Sequence, residues 1–176
     1  MIDTRNYSAP DKLKDGTPVT VRAIRAGDRE VIAAAFAELD RESIYTRFFT
    51  YKKQLTEAEL RQLTEVDFEH VVALVVVEVG VDGETLLGGG RYCSEQPLHL
   101  ARSAELAFVT GDAHHGRGVA SVILKHLVQI ARDRGLAYLD AVVLAHNRAM
   151  LAVFQHSGLP MDSKLEAGVL QVRLHI

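Results

Sequence analysis

The sequence predicts a mixed α/β fold of the α+β kind, with a mostly antiparallel central sheet of six or seven strands flanked by about four helices. Three observations carry this expectation. Short runs of alternating or continuous apolar residues recur along the chain, as in 17–24 and 169–176. Two such runs, 71–79 and 86–93, are joined by Val81-Asp82-Gly83-Glu84, and Asp-Gly favours a tight antiparallel hairpin. A third strand, 104–110, leads through a glycine-containing turn into a long helical pattern and then into a strand at 137–144, which makes a βαβ unit.

Residues 1–16 are polar and lack the apolar stretch of a secretory signal, so they are expected to form an arm outside a single domain spanning 17–176. Strand 17–24 sets Val19, Val21 and Ala23 on one side. Asp28 is the expected N-cap of a helix whose Val31, Ile32, Ala35, Phe36 and Leu39 share a face. A second helix is expected over 42–49, and Thr56-Glu57-Ala58-Glu59 is a capping-box signature for a third that reaches about residue 65, with Lys52 and Lys53 between them. Across 116–134, Val119, Ile123, Leu127, Val128 and Ala131 recur at helical spacing until Gly135 stops the run. A strand at 137–144, a helix at 147–157 closed by Gly158 and Pro160, and a strand at 169–176 complete the order.

Composition narrows the function classes. Among 176 residues, 48% are hydrophobic and 24% charged, ordinary values for one packed domain. Lys plus Arg is 20 against 23 Asp plus Glu, a formal charge of -3 without the basic footprint of a nucleic-acid binder. The uninterrupted apolar stretch 71–77 is far shorter than the ~20 residues of a membrane helix, so no membrane partner is expected. One cysteine, Cys93, cannot form an intramolecular disulfide, and a cytoplasmic location is the default. Cys93 reads as a buried strand residue.

The segment His115-Gly116-Arg117-Gly118-Val119-Ala120 carries the most chemistry. Its glycines let backbone N–H groups approach a bulky anion where a helix dipole begins, a setting suited to a pyrophosphate. It is neither a Walker loop nor the three-glycine dinucleotide fingerprint, and the bland alternative is a turn that starts a helix. His114 and His115 lack an acidic or cysteine partner at a helical ligand spacing, so no metal site is expected.

This segment resembles the phosphate-binding motif Gln/Arg-x-x-Gly-x-Gly/Ala of the GNAT superfamily of acyl-CoA-dependent N-acetyltransferases, with His115 in place of Gln or Arg. Further likeness lies in Thr17-Pro18-Val19-Thr20-Val21-Arg22-Ala23-Ile24-Arg25, Ser43-Ile44-Tyr45-Thr46-Arg47-Phe48-Phe49, Ala104-Glu105-Leu106-Ala107 and Asn147-Arg148-Ala149-Met150-Leu151. Together these are most similar to the acetyltransferase domain of Pat-type bacterial protein lysine acetyltransferases. Those proteins usually carry a regulatory domain as well, for which the length leaves no room.

The resemblance implies acetyl-CoA as acyl donor and a primary amine, preferably a protein lysine, as acceptor. It implies cofactor contacts from Phe108, Thr110, the loop residues His115, Gly116, Arg117, Gly118, Val119 and Ala120, and Asn147, with the Phe108 N–H as oxyanion donor. Glu105 alternates with Ala107 and Val109 on its strand, and the resemblance makes it the general base, the other reading being a solvated face or a pair with Arg102. Asn147 also reads as the N-cap of the last helix. Where many members place a tyrosine that protonates the leaving thiolate, this chain has Phe154.

Gly88-Gly89-Gly90 inside a strand suggests a bulge or a close approach by substrate, with a plain sheet bend as the alternative. Arg47, Arg91 and Arg117 are candidates for acidic groups of substrate or CoA. The competing functions are acetylation of a small amine and a non-catalytic acyl-CoA sensor. The acceptor, acyl preference and oligomeric state are not legible from these residues.

Overall fold

The computed structural model describes residues 1–39, 54–110 and 114–176. The helix expected at 42–49, with Tyr45, Arg47, Lys52 and Lys53, lies outside the described residues. The described elements are β1 (Ser8–Lys12), β2 (Pro18–Ala23), α1 (Arg29–Ala37), α2 (Glu57–Thr64), β3 (Val71–Gly80), β4 (Gly83–Cys93) and β5 (Ser103–Thr110). They continue with α3 (Val119–Asp133), β6 (Tyr138–Leu144), α4 (Arg148–Gln155), β7 (Met161–Glu166) and β8 (Val169–His175).

One eight-stranded sheet runs β1-β2-β3-β4-β5-β6-β8-β7, antiparallel throughout except for the parallel β5–β6 pair. The sheet exceeds the expected six or seven strands because both edges are extended. Strand β7 joins β8 through Ala167 (φ 51°) and Gly168 (φ 77°), a pair of positive-φ residues of the kind that closes a tight hairpin.

At the other edge, the segment expected as an arm contributes β1, paired antiparallel with β2 from Ser8↔Arg22 to Lys12↔Pro18. Pro10 is tolerated there because an edge strand leaves one row of backbone groups unpaired. The segment then straps the length of α3. The Ile2 N–H donates to Asp133 Oδ2 (2.6 Å) near the C-terminal end of the helix, and Asp11 Oδ2 meets His126 Nε2 (2.7 Å) and Lys125 Nζ (2.5 Å) midway. The Lys14 N–H donates to the Arg117 carbonyl (3.0 Å) at the N-terminal end.

Helix α3 is the centre of the core. Its Val119, Ile123, Leu127 and Ile130 are buried against the sheet, together with Val72, Leu74, Leu106 and Leu139. This docking explains two of the three consecutive glycines, Gly88 and Gly90. A Cβ on Gly90 would lie 2.6 Å from Ile123 Cγ2 and 2.8 Å from Phe108 Cδ1, and one on Gly88 would lie 2.8 Å from Val119 Cγ1. The close approach is therefore made by α3 rather than by substrate, and a bulge adjoins it where the β3–β4 register shifts between Val76 and Val77.

Helix α2 starts as expected: Thr56 Oγ1 accepts the Glu59 N–H and Glu59 Oε2 accepts the Thr56 N–H. Asp28 does stand at the N-cap of α1, but its side chain makes no capping bond to that helix. Its carboxylate instead binds the buried guanidinium of Arg22 (2.8 and 3.0 Å), which also holds Glu84, and accepts the Arg25 N–H. A buried arginine needs these charges more than the helix end does, because a guanidinium cannot shed its proton.

Candidate acyl-transfer site

The site follows from where two strands stop pairing. Strands β5 and β6 are in register only from Ser103↔Tyr138 to Glu105↔Asp140. Beyond these residues β5 runs on to Thr110 and β6 to Leu144 without pairing each other. The result is a cleft of about 760 Å³ between the strand ends, walled by β5, β6, the start of α3 and helix α4. Alternate residues of a strand direct their N–H and C=O to either side, so part of the β5 backbone facing the gap lacks a strand partner and is available to a ligand.

Most of the residues expected at the site meet in this cleft. Glu105, Phe108, Thr110, His115, Gly116, Gly118, Val119, Ala120 and Asn147 all line it. Glu105 is exposed and shares its sheet face with its cross-strand partners Cys93 and Asp140, whereas Phe108 is buried on the opposite face against Phe154, ring centroids 6.2 Å apart. Asp140 is held by Arg173 through two bonds of 2.7 and 2.9 Å. Asn147 caps α4, its Oδ1 accepting the Met150 N–H at 3.2 Å, and stands on the cleft wall as well.

Gly116 (φ 78°) and Gly118 (φ 85°) both adopt the left-handed backbone that side chains resist. Gly118 is the N-cap of α3, and Val122 N–H donates to its carbonyl in the first helical bond. The N–H groups before Val122 therefore have no intrahelical acceptor and point out of the helix end, where the dipole favours negative charge. No Cβ at Gly116 would meet anything within 4 Å, so the loop presents open backbone to the cleft.

Of the loop's side chains, that of Arg117 faces another way. Arg117 is absent from the described lining. Its guanidinium binds Asp15 (3.3 Å), Thr17 Oγ1 (3.2 Å) and His114 Nδ1 (3.0 Å). Since a guanidinium only donates, Nδ1 of His114 is the acceptor in that contact. The His115 Nε2 lies 2.9 Å from the Thr110 carbonyl at the end of β5. Lys14 is a lining residue that the sequence did not point to, because it lies in the segment read as an arm.

On the other face of β5, beneath α1 and α2, an apolar cavity of about 120 Å³ adjoins the cleft through Ala107 and Val109, which line both. Arg91 is on its wall. Cys93 is half-buried. No described helix is long and apolar enough to cross a membrane.

A mixed sheet that splays beside a glycine loop at a helix start defines an acyltransferase fold, and the chain belongs to the acetyltransferase (GNAT) domain family, whose model matches residues 19–160. It is 32% identical over 143 residues to an acetyltransferase of Pseudomonas aeruginosa, covering 80% of this chain and 74% of that protein. It is 32% identical over 149 residues to the acetyltransferase Pat of Mycolicibacterium smegmatis, covering 85% of this chain and 43% of the relative, so the chain spans less than half of that protein's length. Among solved structures, the GNAT domain of S. lividans PAT superposes with a TM-score of 0.85 at 32% identity, over 96% of this chain and 97% of that one. The chain is thus a GNAT acetyltransferase domain similar to those of Pat proteins.

Proposed function

We propose that the domain transfers an acetyl group from acetyl-CoA directly to a primary amine, with a protein lysine as the acceptor. The observation that carries this reading is the single cleft lined by both the carboxylate of Glu105 and the glycine loop at the start of α3. Support for CoA comes also from family membership and from two more distant chains of the same fold whose structures hold CoA. The lysine acceptor rests on the resemblance to Pat-type enzymes.

In this reading the N–H groups of residues 116–120 receive the pyrophosphate, and the β5 backbone near Phe108 and Thr110 receives the pantetheine arm and the acyl carbonyl. The neutral amine attacks the thioester carbon, and an oxyanion forms opposite the Phe108 N–H. Collapse breaks the C–S bond and releases the thiolate of CoA. Glu105 takes the proton lost by the amine. Phe154 has no proton to give and no tyrosine stands among the described cleft residues, so the thiolate takes its proton from water or from a tyrosine outside them.

Release of free thiol from acetyl-CoA, measured against panels of lysine peptides and small amines, tests the assignment. Turnover on peptides supports it. Turnover confined to free small amines removes the lysine acceptor, and no thiol release with any amine removes the enzymatic role.

A further inference from the structure

We propose that Lys14, from the segment preceding the second strand, supplies the cation that binds the diphosphate of CoA. This rests on the CoA reading of the cleft. The chain carries a formal charge of -3, so a polyanionic ligand must be met by local positive charge. The loop supplies N–H groups and a helix end, but its one arginine, Arg117, is committed to Asp15, Thr17 and His114. His115 is directed at the Thr110 carbonyl. Among the described residues that line the cleft, Lys14 is the only Lys or Arg.

The position of Lys14 is built rather than incidental. The neighbouring Leu13 is buried in the core at 4% exposure, and its N–H donates to the Thr17 carbonyl at 2.9 Å. The Lys14 N–H is tied to the Arg117 carbonyl at 3.0 Å, and Asp15 anchors the guanidinium of the same residue. The Lys14 Cβ lies 3.4 Å from where a Cβ on Gly118 would be, so the stem starts beside the N-cap of α3. From that point the rest of the stem reaches about 5 Å, enough to bring the ammonium over the open end of the helix. The ammonium itself has no ion pair among the described residues. Its nearest acidic neighbours in sequence are already engaged, Asp15 by Arg117 and Asp11 by Lys125 and His126. The placement beside Gly118 selects the diphosphate, which binds at the helix start, over the 3′-phosphate.

Calorimetric titration of the full chain with CoA, dephospho-CoA and pantetheine tests this, using wild type, Lys14→Ala, Lys14→Arg and Lys12→Ala. Lys14→Ala is expected to weaken CoA and dephospho-CoA alike by about fivefold and to flatten the salt dependence of both. Pantetheine affinity should not change, Lys14→Arg should restore most of the loss, and Lys12→Ala should bind as wild type does. CoA affinity of Lys14→Ala within about twofold of wild type overturns the proposal, as does an equal loss on pantetheine. A loss seen with CoA but not with dephospho-CoA moves the contact to the 3′-phosphate and overturns it too. Failure of wild type to bind any of the three removes the CoA reading itself.

Discussion

Gly90 faces Ile123 so closely that a single added methyl group would fall 2.6 Å from Ile123 Cγ2. The contact joins β4 to α3, and α3 carries the loop that opens the cleft. Packing of the core and placement of the candidate phosphate site are therefore one problem.

Gly90→Ala is expected to destabilise the domain by about 1–3 kcal/mol, since both Ile123 and Phe108 are buried and neither can withdraw freely. Urea unfolding measures the loss. Pairing it with Ile123→Ala should recover less than the full loss, because the Phe108 contact remains.

Glu105→Gln keeps shape and removes the proton acceptor. Turnover should fall by about 10²- to 10⁴-fold while CoA affinity stays near wild type. Steady-state rates beside calorimetric titration check this. Retained turnover would assign the base elsewhere.

Gly118→Asp places a Cβ at a backbone φ of 85° and a carboxylate at the helix start. CoA binding should weaken by more than about tenfold through strain and like-charge repulsion. Gly118→Ala isolates the strain, so the difference between the two variants measures the charge. Equal affinities for wild type and Gly118→Asp would exclude an anion at this loop.

Asp11 ties β1 to α3. Partial burial raises its carboxyl pKa, but hydrogen bonds from Lys125, the Lys12 N–H and His126 outweigh this and hold it at about 2. Because the folded value lies below the unfolded one near 4, ionised Asp11 stabilises the fold above about pH 4, and that contribution is lost as pH falls toward 2. Wild type should therefore melt above Asp11→Asn at neutral pH, with the gap closing below about pH 3. A gap that stays constant from about pH 5 to about pH 2 would mean the ion pair adds no net stability.

Local signals carried much of the architecture. The Thr56–Glu59 capping box, the hairpin that turns at Val81-Asp82 and enters β4 at Gly83, and the apolar stripe of α3 each act within a few residues, so their outcomes are written in the adjacent sequence. The glycine loop was legible for the same reason: positive φ at Gly116 and Gly118 is a local demand.

What lay outside that reach were relations between distant residues. Ser8–Lys12 is short, polar and contains a proline, and only pairing with β2 and anchoring to α3 make it a strand. Two of the side-chain partners of Arg117, Asp15 and Thr17, lie about a hundred positions earlier in the chain. Sequence alone determined the periodicities, the turns and the family motif, because these depend on backbone torsions and neighbouring side chains. Tertiary structure decided the parting of β5 from β6, the reason for glycine at positions 88 and 90 of β4 and the presence of Lys14 on the cleft wall. Each of these depends on which distant surfaces pack together, and that free energy is not stored in any single stretch of chain.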